Sequence, residues 1–336
     1  MMERWTVIDG DGHILERDQD LLPYLEAPFN QRTRGLFPRD NWDRNMGGRL
    51  GKEVFDLESR LKDMDLMGVD ISVLYPTSGL LIGAIREPDF AVALARAYNS
   101  FLADFCNQSP RLKGVAVIPV QRVHEAVKEL NRAVTELGLV GVLLPGHGHG
   151  KNLGSPEFDP IYAEAERLGV PLGVHPASSF NPVGVEFDTF LCAHAIAFTS
   201  DALIQSCGII MGGVPEKFPR LKIAFLESGC GWIPYWMERL DSHYEKRAEE
   251  APLLKAKPSE YMRHGNIYYS CEPEEQTLSY VLEWVGEDKM LYASDYPHWD
   301  MEFPDSVEEI KKKATLTDEA KRKILGENAR RLYGLP

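Results

Sequence analysis

Cysteine is scarce in this chain, and so is positive charge. The five cysteines, Cys106, Cys192, Cys207, Cys230 and Cys271, are odd in number, scattered, and without CxxC spacing. That pattern excludes a disulfide framework and a thiolate metal knuckle, leaving free thiols in a reducing compartment as the simplest reading. Lysine and arginine number 37 against 51 acidic residues, a formal charge of −14, which argues against a nucleic-acid or anionic-membrane partner. A small anionic substrate stays allowed, because a few arginines can reverse the potential inside a cleft. No apolar run approaches the ~20 residues of a membrane helix, and Met1-Met2-Glu3-Arg4 leads straight into a strand-like run with no room for a signal peptide. A soluble, cytoplasmic protein is expected. No linker, low-complexity stretch or short-period repeat divides the 336 residues, so a single domain over 1–336 is expected.

What is present is an alternation. Eight apolar, strand-like runs occur, at Trp5–Ile8, Ile71–Tyr75, Gly114–Val120, Val140–Leu144, Pro171–Val174, Lys222–Leu226, Asn266–Ser270 and Met290–Ala293. Most are continuous rather than alternating, as parallel strands buried on both faces require. Helical periods lie between them: Val54–Met67 stopped by Gly68, Asp89–Cys106, Val123–Leu137 stopped by Gly138, and Pro160–Leu168 stopped by Gly169. Glycine just past the last periodic residue is the usual helix stop. Strand–helix alternation repeated about eight times predicts an α/β fold, a (β/α)8 TIM-type barrel. Two insertions interrupt it. Leu15–Lys52, after strand one, holds Arg32, Arg34, Arg39, Arg44 and Arg49 and reads as a lid or subunit contact. Pro176–Pro219, after strand five, holds a helical stretch from Phe187 to Met211, with His194 near its start, that reads as a packing or dimer element. Thr317 is placed to cap a final helix ending at Leu332.

Three strand ends carry metal-ligand residue types. Strand one runs into Asp11-Gly12-His13, and residues two apart on an extended segment point to the same side. Val170–His175 ends in a histidine, and Lys289–Asp295 ends in an aspartate with His298 three residues on. Parallel barrels collect their chemistry at the C-terminal ends of their strands. Asp11, His13, His175 and Asp295 therefore make a candidate set of oxygen and nitrogen ligands for a divalent metal.

These motifs, with Phe218-Pro-Arg-Leu-Lys222 before strand six and Ser294-Asp295-Tyr-Pro297 after strand eight, resemble the amidohydrolase-related family (amidohydrolase 2). The branch is the one containing aminocarboxymuconate-semialdehyde decarboxylase and γ-resorcylate decarboxylase. The resemblance implies one divalent metal, zinc first and manganese second, a small-molecule substrate and a homodimer. It implies non-oxidative decarboxylation of a carboxylated aromatic or unsaturated substrate. A metal-dependent hydrolase acting on a small cyclic amide, ester or C–C substrate is the alternative, and a non-catalytic barrel with a decayed metal site the other. Asp11 and His13 fit the variant with a carboxylate in place of the first histidine. His175 and Asp295 fit the ligands of strands five and eight. Strand four, Leu139–Pro145, lacks the lysine that bridges two metals in relatives, which favours a single ion. Strand six departs from the decarboxylase pattern, because Glu227 stands where they carry a catalytic histidine.

Glu227 has the chemistry of a general base, a proton donor or an extra ligand, and His298 that of an acid–base group. Arg44 and Arg49 are candidates for a substrate carboxylate. Trp232, Tyr296 and Trp299 are candidate walls for a planar substrate, with core packing the alternative for Trp232. Arg60 falls on the polar side of its helix and is expected in solvent. His147 and His149, in a glycine-rich loop, are read mainly as loop histidines, and His124, His243 and His264 as structural.

Overall fold

A computed structural model of the chain describes residues 5–33, 35–39, 54 and 56–336. Its strands are β1 (Ile8–Ile14), β2 (Ile71–Pro76), β3 (Leu112–Val117), β4 (Gly141–Pro145), β5 (Leu172–His175), β6 (Ile223–Phe225), β7 (Ile267–Cys271) and β8 (Met290–Tyr292). Each pairs in parallel with the next, and spatial order follows chain order. Between β8 and β1 the ring is drawn together by Asp295 N–H donating to Asp11 O (3.0 Å) and His13 N–H donating to Tyr296 O (2.7 Å). The expected (β/α)8 barrel is the architecture found. Val115, Val142, Leu143, Leu172 and Leu291 are wholly buried, as strands enclosed by an outer layer of helices must be.

β1 begins and ends later than expected. An apolar-run criterion stops it at Ile8, yet it continues through Asp9, Asp11 and His13 to Ile14. Asp9 persists inside this strand because partners satisfy it. Asp9 accepts from Ser294 N–H (2.9 Å), Ser294 Oγ–H (2.7 Å) and Ser72 Oγ–H (3.0 Å). Against β2, the register steps by three residues from Asp9 to Gly12 while β2 advances two, a β-bulge. Bulges re-aim side chains next to sites. Gly12 is required there, since a Cβ would lie 2.5 Å from Asp9 Oδ2 and from Ser72 Oγ.

The helix Leu57–Met67 starts three residues after the expected Val54, where Asp56 accepts from Ser59 N–H (2.8 Å) as its cap. It stops at Gly68 with φ 76°. Arg60 corrects the expectation of a solvated side chain, because it is 1% exposed. Its Nη2 donates to the carbonyl of His13, and its guanidinium lies 5.0 Å over the Tyr296 ring. A buried guanidinium needs such partners to offset its lost hydration. Phe190–Met211 is, among the described residues, the one helix long and apolar enough to cross a membrane. It nevertheless carries Asp201, Gln205 and Ser206 buried within the protein. At the C-terminus Thr317 Oγ1 caps as expected, accepting from Ala320 N–H (3.0 Å), and the helix continues through a π turn at Lys323–Glu327.

Candidate metal centre

The bulged end of β1 and the last residue of β5 place two imidazoles at the C-terminal mouth of the barrel. His13 Nδ1 lies 2.8 Å from Pro76 O, and His175 Nδ1 lies 2.8 Å from Pro176 O. A carbonyl only accepts, so each Nδ1 carries the hydrogen and each Nε2 keeps its lone pair. Both Nε2 atoms point into one small space. His175 Nε2 is 3.6 Å from Asp11 Oδ1 and 3.0 Å from Glu227 Oε2. His13 Nε2 is 3.8 Å from Asp11 Oδ1, 3.6 Å from Glu227 Oε2 and 3.3 Å from Asp295 Oδ1. Asp11 Oδ1, His13 Nε2, His175 Nε2 and Glu227 Oε2 are all buried with no hydrogen-bond partner. Stranding even one buried polar atom costs free energy. Four facing one another fit a cation at their centre.

Glu227 and Asp295 add the strain common at functional sites. Their φ values are 42° and 53°, two of the three positive φ angles among the described non-glycine residues, a region costly for side chains with a Cβ. The electrostatics are equally unsettled. Burial pushes the Asp11 carboxyl well above the ordinary range, with Glu227 and Asp295 pushing the same way against the pull of His175. Burial and then the Glu227 carboxylate raise Asp295 well above its usual value. Burial opposes ionisation of Glu227 too, but the His13 and His175 imidazoles facing it hold it low. Burial, and next His298, lower His13 to about 3. Burial works against charging His175, but Asp11 and Glu227 hold its pKa above the ordinary value. Closely spaced carboxylates cannot all ionise without a compensating positive charge.

A cavity of about 400 Å³ opens onto this cluster, bordered by Glu227, His298, Thr77, Leu80, Leu81 and the aromatic group Phe190, Phe198 and Trp299. His298 bridges them: its Nδ1 lies 2.5 Å from Asp295 Oδ1 and its Nε2 3.0 Å from Thr77 Oγ1. Trp299 borders the cavity. Tyr296 does not: it is buried, its hydroxyl donating to Asp63 Oδ2 (2.7 Å). Trp232 is also absent from the lining, since its ring packs against Phe225 and Tyr269 and its N–H donates to Gly229 O. Both rings found apolar neighbours and one hydrogen-bond partner beneath the mouth, which fixes aromatic side chains in a core. Arg44 and Arg49 lie outside the described residues. Of the same insertion, Phe37, Pro38 and Arg39 reach the cavity.

His147 is tied to Asp201 Oδ2 (2.6 Å) and Ser179 O (2.8 Å), and His149 to Pro145 O (3.0 Å), as loop histidines would be. His124, His243 and His264 pair locally, with Glu125, the Arg239 carbonyl and Glu260. Sequence reasoning missed Asp9, Glu16 and Asp300. Asp300 borders the cavity 3.7 Å from His194 Nε2. Asp9 offered a signal, being a second acidic residue two before Asp11.

The family model described as amidohydrolase matches residues 8–335. The chain belongs to the amidohydrolase family. Among curated family relatives, a 2-amino-3-carboxymuconate-6-semialdehyde decarboxylase of Dictyostelium discoideum is 28% identical over 303 residues, 86% of this chain and 80% of that one. A gamma-resorcylate decarboxylase of Rhizobium radiobacter is 28% identical over 317 residues, covering 91% and 94%. Among solved structures, the 5-carboxyvanillate decarboxylase of Sphingomonas paucimobilis superimposes with a TM-score of 0.80 at 24% identity, covering 99% of this chain and 100% of that chain. A dihydroxybenzoic acid decarboxylase from a Polaromonas species, holding manganese and 2-nitroresorcinol, gives 0.79 at 23%, covering 99% and 98%. At these identities the structural matches establish that the amidohydrolase barrel is shared.

Proposed function

We propose that the chain is a metal-dependent decarboxylase that releases CO2, without oxidation, from a small carboxylated aromatic or unsaturated acid. The observation that carries this reading is the ring of four buried, partnerless donor atoms from Asp11, His13, His175 and Glu227. Asp11, His13, His175 and Asp295 hold one divalent cation, with Glu227 completing the ring of donors. Two imidazoles suit zinc, and manganese, held by the Polaromonas relative, is the second choice. When bound, the cation supplies Lewis-acid polarisation of a substrate oxygen.

The remaining steps fall to side chains. Asp295 and His298, joined at 2.5 Å, deliver the proton that the substrate carbon takes up as CO2 leaves. Phe190, Phe198 and Trp299 wall a planar substrate and keep water out. Arg39 at the rim, with Arg44 and Arg49 of the same insertion, meets a substrate carboxylate. We further propose one domain over 1–336, acting as a homodimer in the cytoplasm. The free cysteines and the exposed Leu191, Ile196 and Ile204 on the helix Phe190–Met211 support these assignments.

A second reading, hydrolysis by activated water, is favoured by Glu227 alone. A carboxylate facing His13 and His175 serves as a base for water but repels a substrate carboxylate. The experiment is metal analysis of purified protein followed by a panel of hydroxybenzoates, unsaturated amino acids bearing a second carboxylate, esters and amides, with CO2 release monitored. CO2 release supports the decarboxylase, and turnover of an ester or amide without CO2 supports the hydrolase. Metal below about 0.2 equivalents after growth with zinc and manganese, with no turnover, overturns both.

A further inference from the structure

One buried carboxylate near the mouth has no part in the donor ring. Glu16, three residues past His13, is 7% exposed. Its Oε2 accepts from Thr77 N–H at 3.1 Å and its Oε1 from Gly79 N–H at 2.6 Å. Among the described residues no lysine or arginine forms a salt bridge with it, and burial pushes its carboxyl up to about 7. The turn it grips follows β2 and borders the substrate cavity through Thr77, Ser78 and Leu80. The turn is tight: a Cβ at Gly79 would lie 2.7 Å from Pro76 Cβ. A buried carboxylate is an expensive way to satisfy two amide groups, so something beyond the turn itself is being held.

That something is Thr77. Its Oγ1 lies 3.0 Å from His298 Nε2, while His298 Nδ1 lies 2.5 Å from Asp295 Oδ1. With the Nδ1 hydrogen directed to the carboxylate, the neutral ring offers Nε2 as an acceptor, and the Thr77 hydroxyl donates to it. The ring is thereby pinned at both nitrogens, its centroid 4.2 Å from that of His13. We propose that Glu16 is a positioning residue: by clamping the Thr77–Gly79 turn it aims the Thr77 hydroxyl at His298 and holds that ring against Asp295. The proposal rests on the reading of His298 as a proton-handling group. Two acceptor oxygens are essential to the clamp, because a glutamine would turn its N–H2 toward one of the two amides.

The test uses the full-length, zinc-loaded protein, with metal content, kcat and KM on a substrate from the panel, and 1H–15N NMR of the histidine rings. His298→Gln identifies the downfield Nδ1–H resonance of His298. That resonance is expected in the wild type and in Thr77→Ser, which keeps the hydroxyl, and is expected to be lost or broadened in Thr77→Val and Glu16→Gln. In turnover, Thr77→Val and Glu16→Gln each lower kcat about tenfold with KM within about twofold, and Thr77→Ser restores it. The double variant falls no further than the worse single one, since both act on one contact. Zinc content stays at the wild-type level throughout. If Glu16→Gln does not fold, Glu16→Asp, too short to reach both amides, replaces it with the same expected outcome. An unchanged resonance in Glu16→Gln, multiplicative kcat losses, or Thr77→Ser behaving like Thr77→Val overturns the proposal. If His298→Gln leaves kcat intact, the failure lies instead in the assignment of His298.

Discussion

Two histidine–carboxylate clusters in this molecule use the same residue types to opposite ends. Around His13 and His175, four buried donor atoms face one another with no hydrogen-bond partner. In the chain His147–Asp201–Asn181, the polar side chains are matched. Both nitrogens of His147 face acceptors, Asp201 Oδ2 at 2.6 Å and Ser179 O at 2.8 Å. Asp201 Oδ1 accepts from Asn181 Nδ2 (2.9 Å), and Asn181 Oδ1 accepts from the backbone of Val183 and Gly184. Gln205 closes the group, donating to Gly146 O and accepting from Leu153 N–H. A matched network fixes structure, here stapling the loop after β5 to the helix Phe190–Met211. An unmatched one stores a binding site, because its cost is recovered only when a ligand arrives. Satisfaction of hydrogen bonds, not residue type, separates the two.

The sharpest way to break this comparison is to remove one imidazole from each cluster. His175→Ala is expected to lower bound metal below about 0.1 equivalents and kcat by at least about a thousandfold, read by elemental analysis and steady-state kinetics. Next in size, Glu227→Gln keeps its metal but loses about a hundredfold in kcat; full activity would remove Glu227 from the chemistry. His147→Ala should leave metal content and KM alone while lowering stability by about 3 kcal/mol, because it strands a buried carboxylate. Denaturant unfolding of the loaded protein measures this, and metal loss matching that of His175→Ala would erase the distinction.

The smallest effect is a pH dependence. Burial opposes charging His147, but Asp201 holds its pKa above 6.5. A raised histidine pKa gives stability fully present below the unfolded value and lost as pH rises through the folded one. Unfolding free energy should therefore fall above pH 6.5, by at most ~1.4 kcal/mol per unit for this one proton. His147→Gln should flatten that slope. Metal-loaded protein is required, so that His175, also raised, does not titrate in the same range.

The barrel was legible because its signals are local. Continuous apolar runs such as Val140–Leu144 and helix stops such as Gly68 and Gly169, both left-handed in the structure, need no distant partner to be recognised. The convergence of Asp11, His13, His175 and Asp295 was legible too, since strand ends in a parallel barrel share one face. Less of the cavity was. Tyr296 and Trp232 neighbour Asp295 and Glu227 in sequence, yet they turn beneath the mouth toward Asp63 and toward Phe225 with Tyr269. Proximity along the chain does not say which way a ring will point.

By itself, then, the sequence determined the order and direction of the strands, the lack of any disulfide scaffold, and which strand ends carry imidazole and carboxylate side chains. These follow from periodicity and from side-chain type. Only the tertiary structure decided that Arg60 is buried against His13, that Asp9 and Glu16 hold β1 and the Thr77 turn, and that Glu227 belongs inside the donor ring. Each of those depends on a partner between 47 and 285 positions away, Glu227 meeting His175 across 52. Such partners are brought together by closure of the barrel, whose contacts leave no periodic trace in the chain.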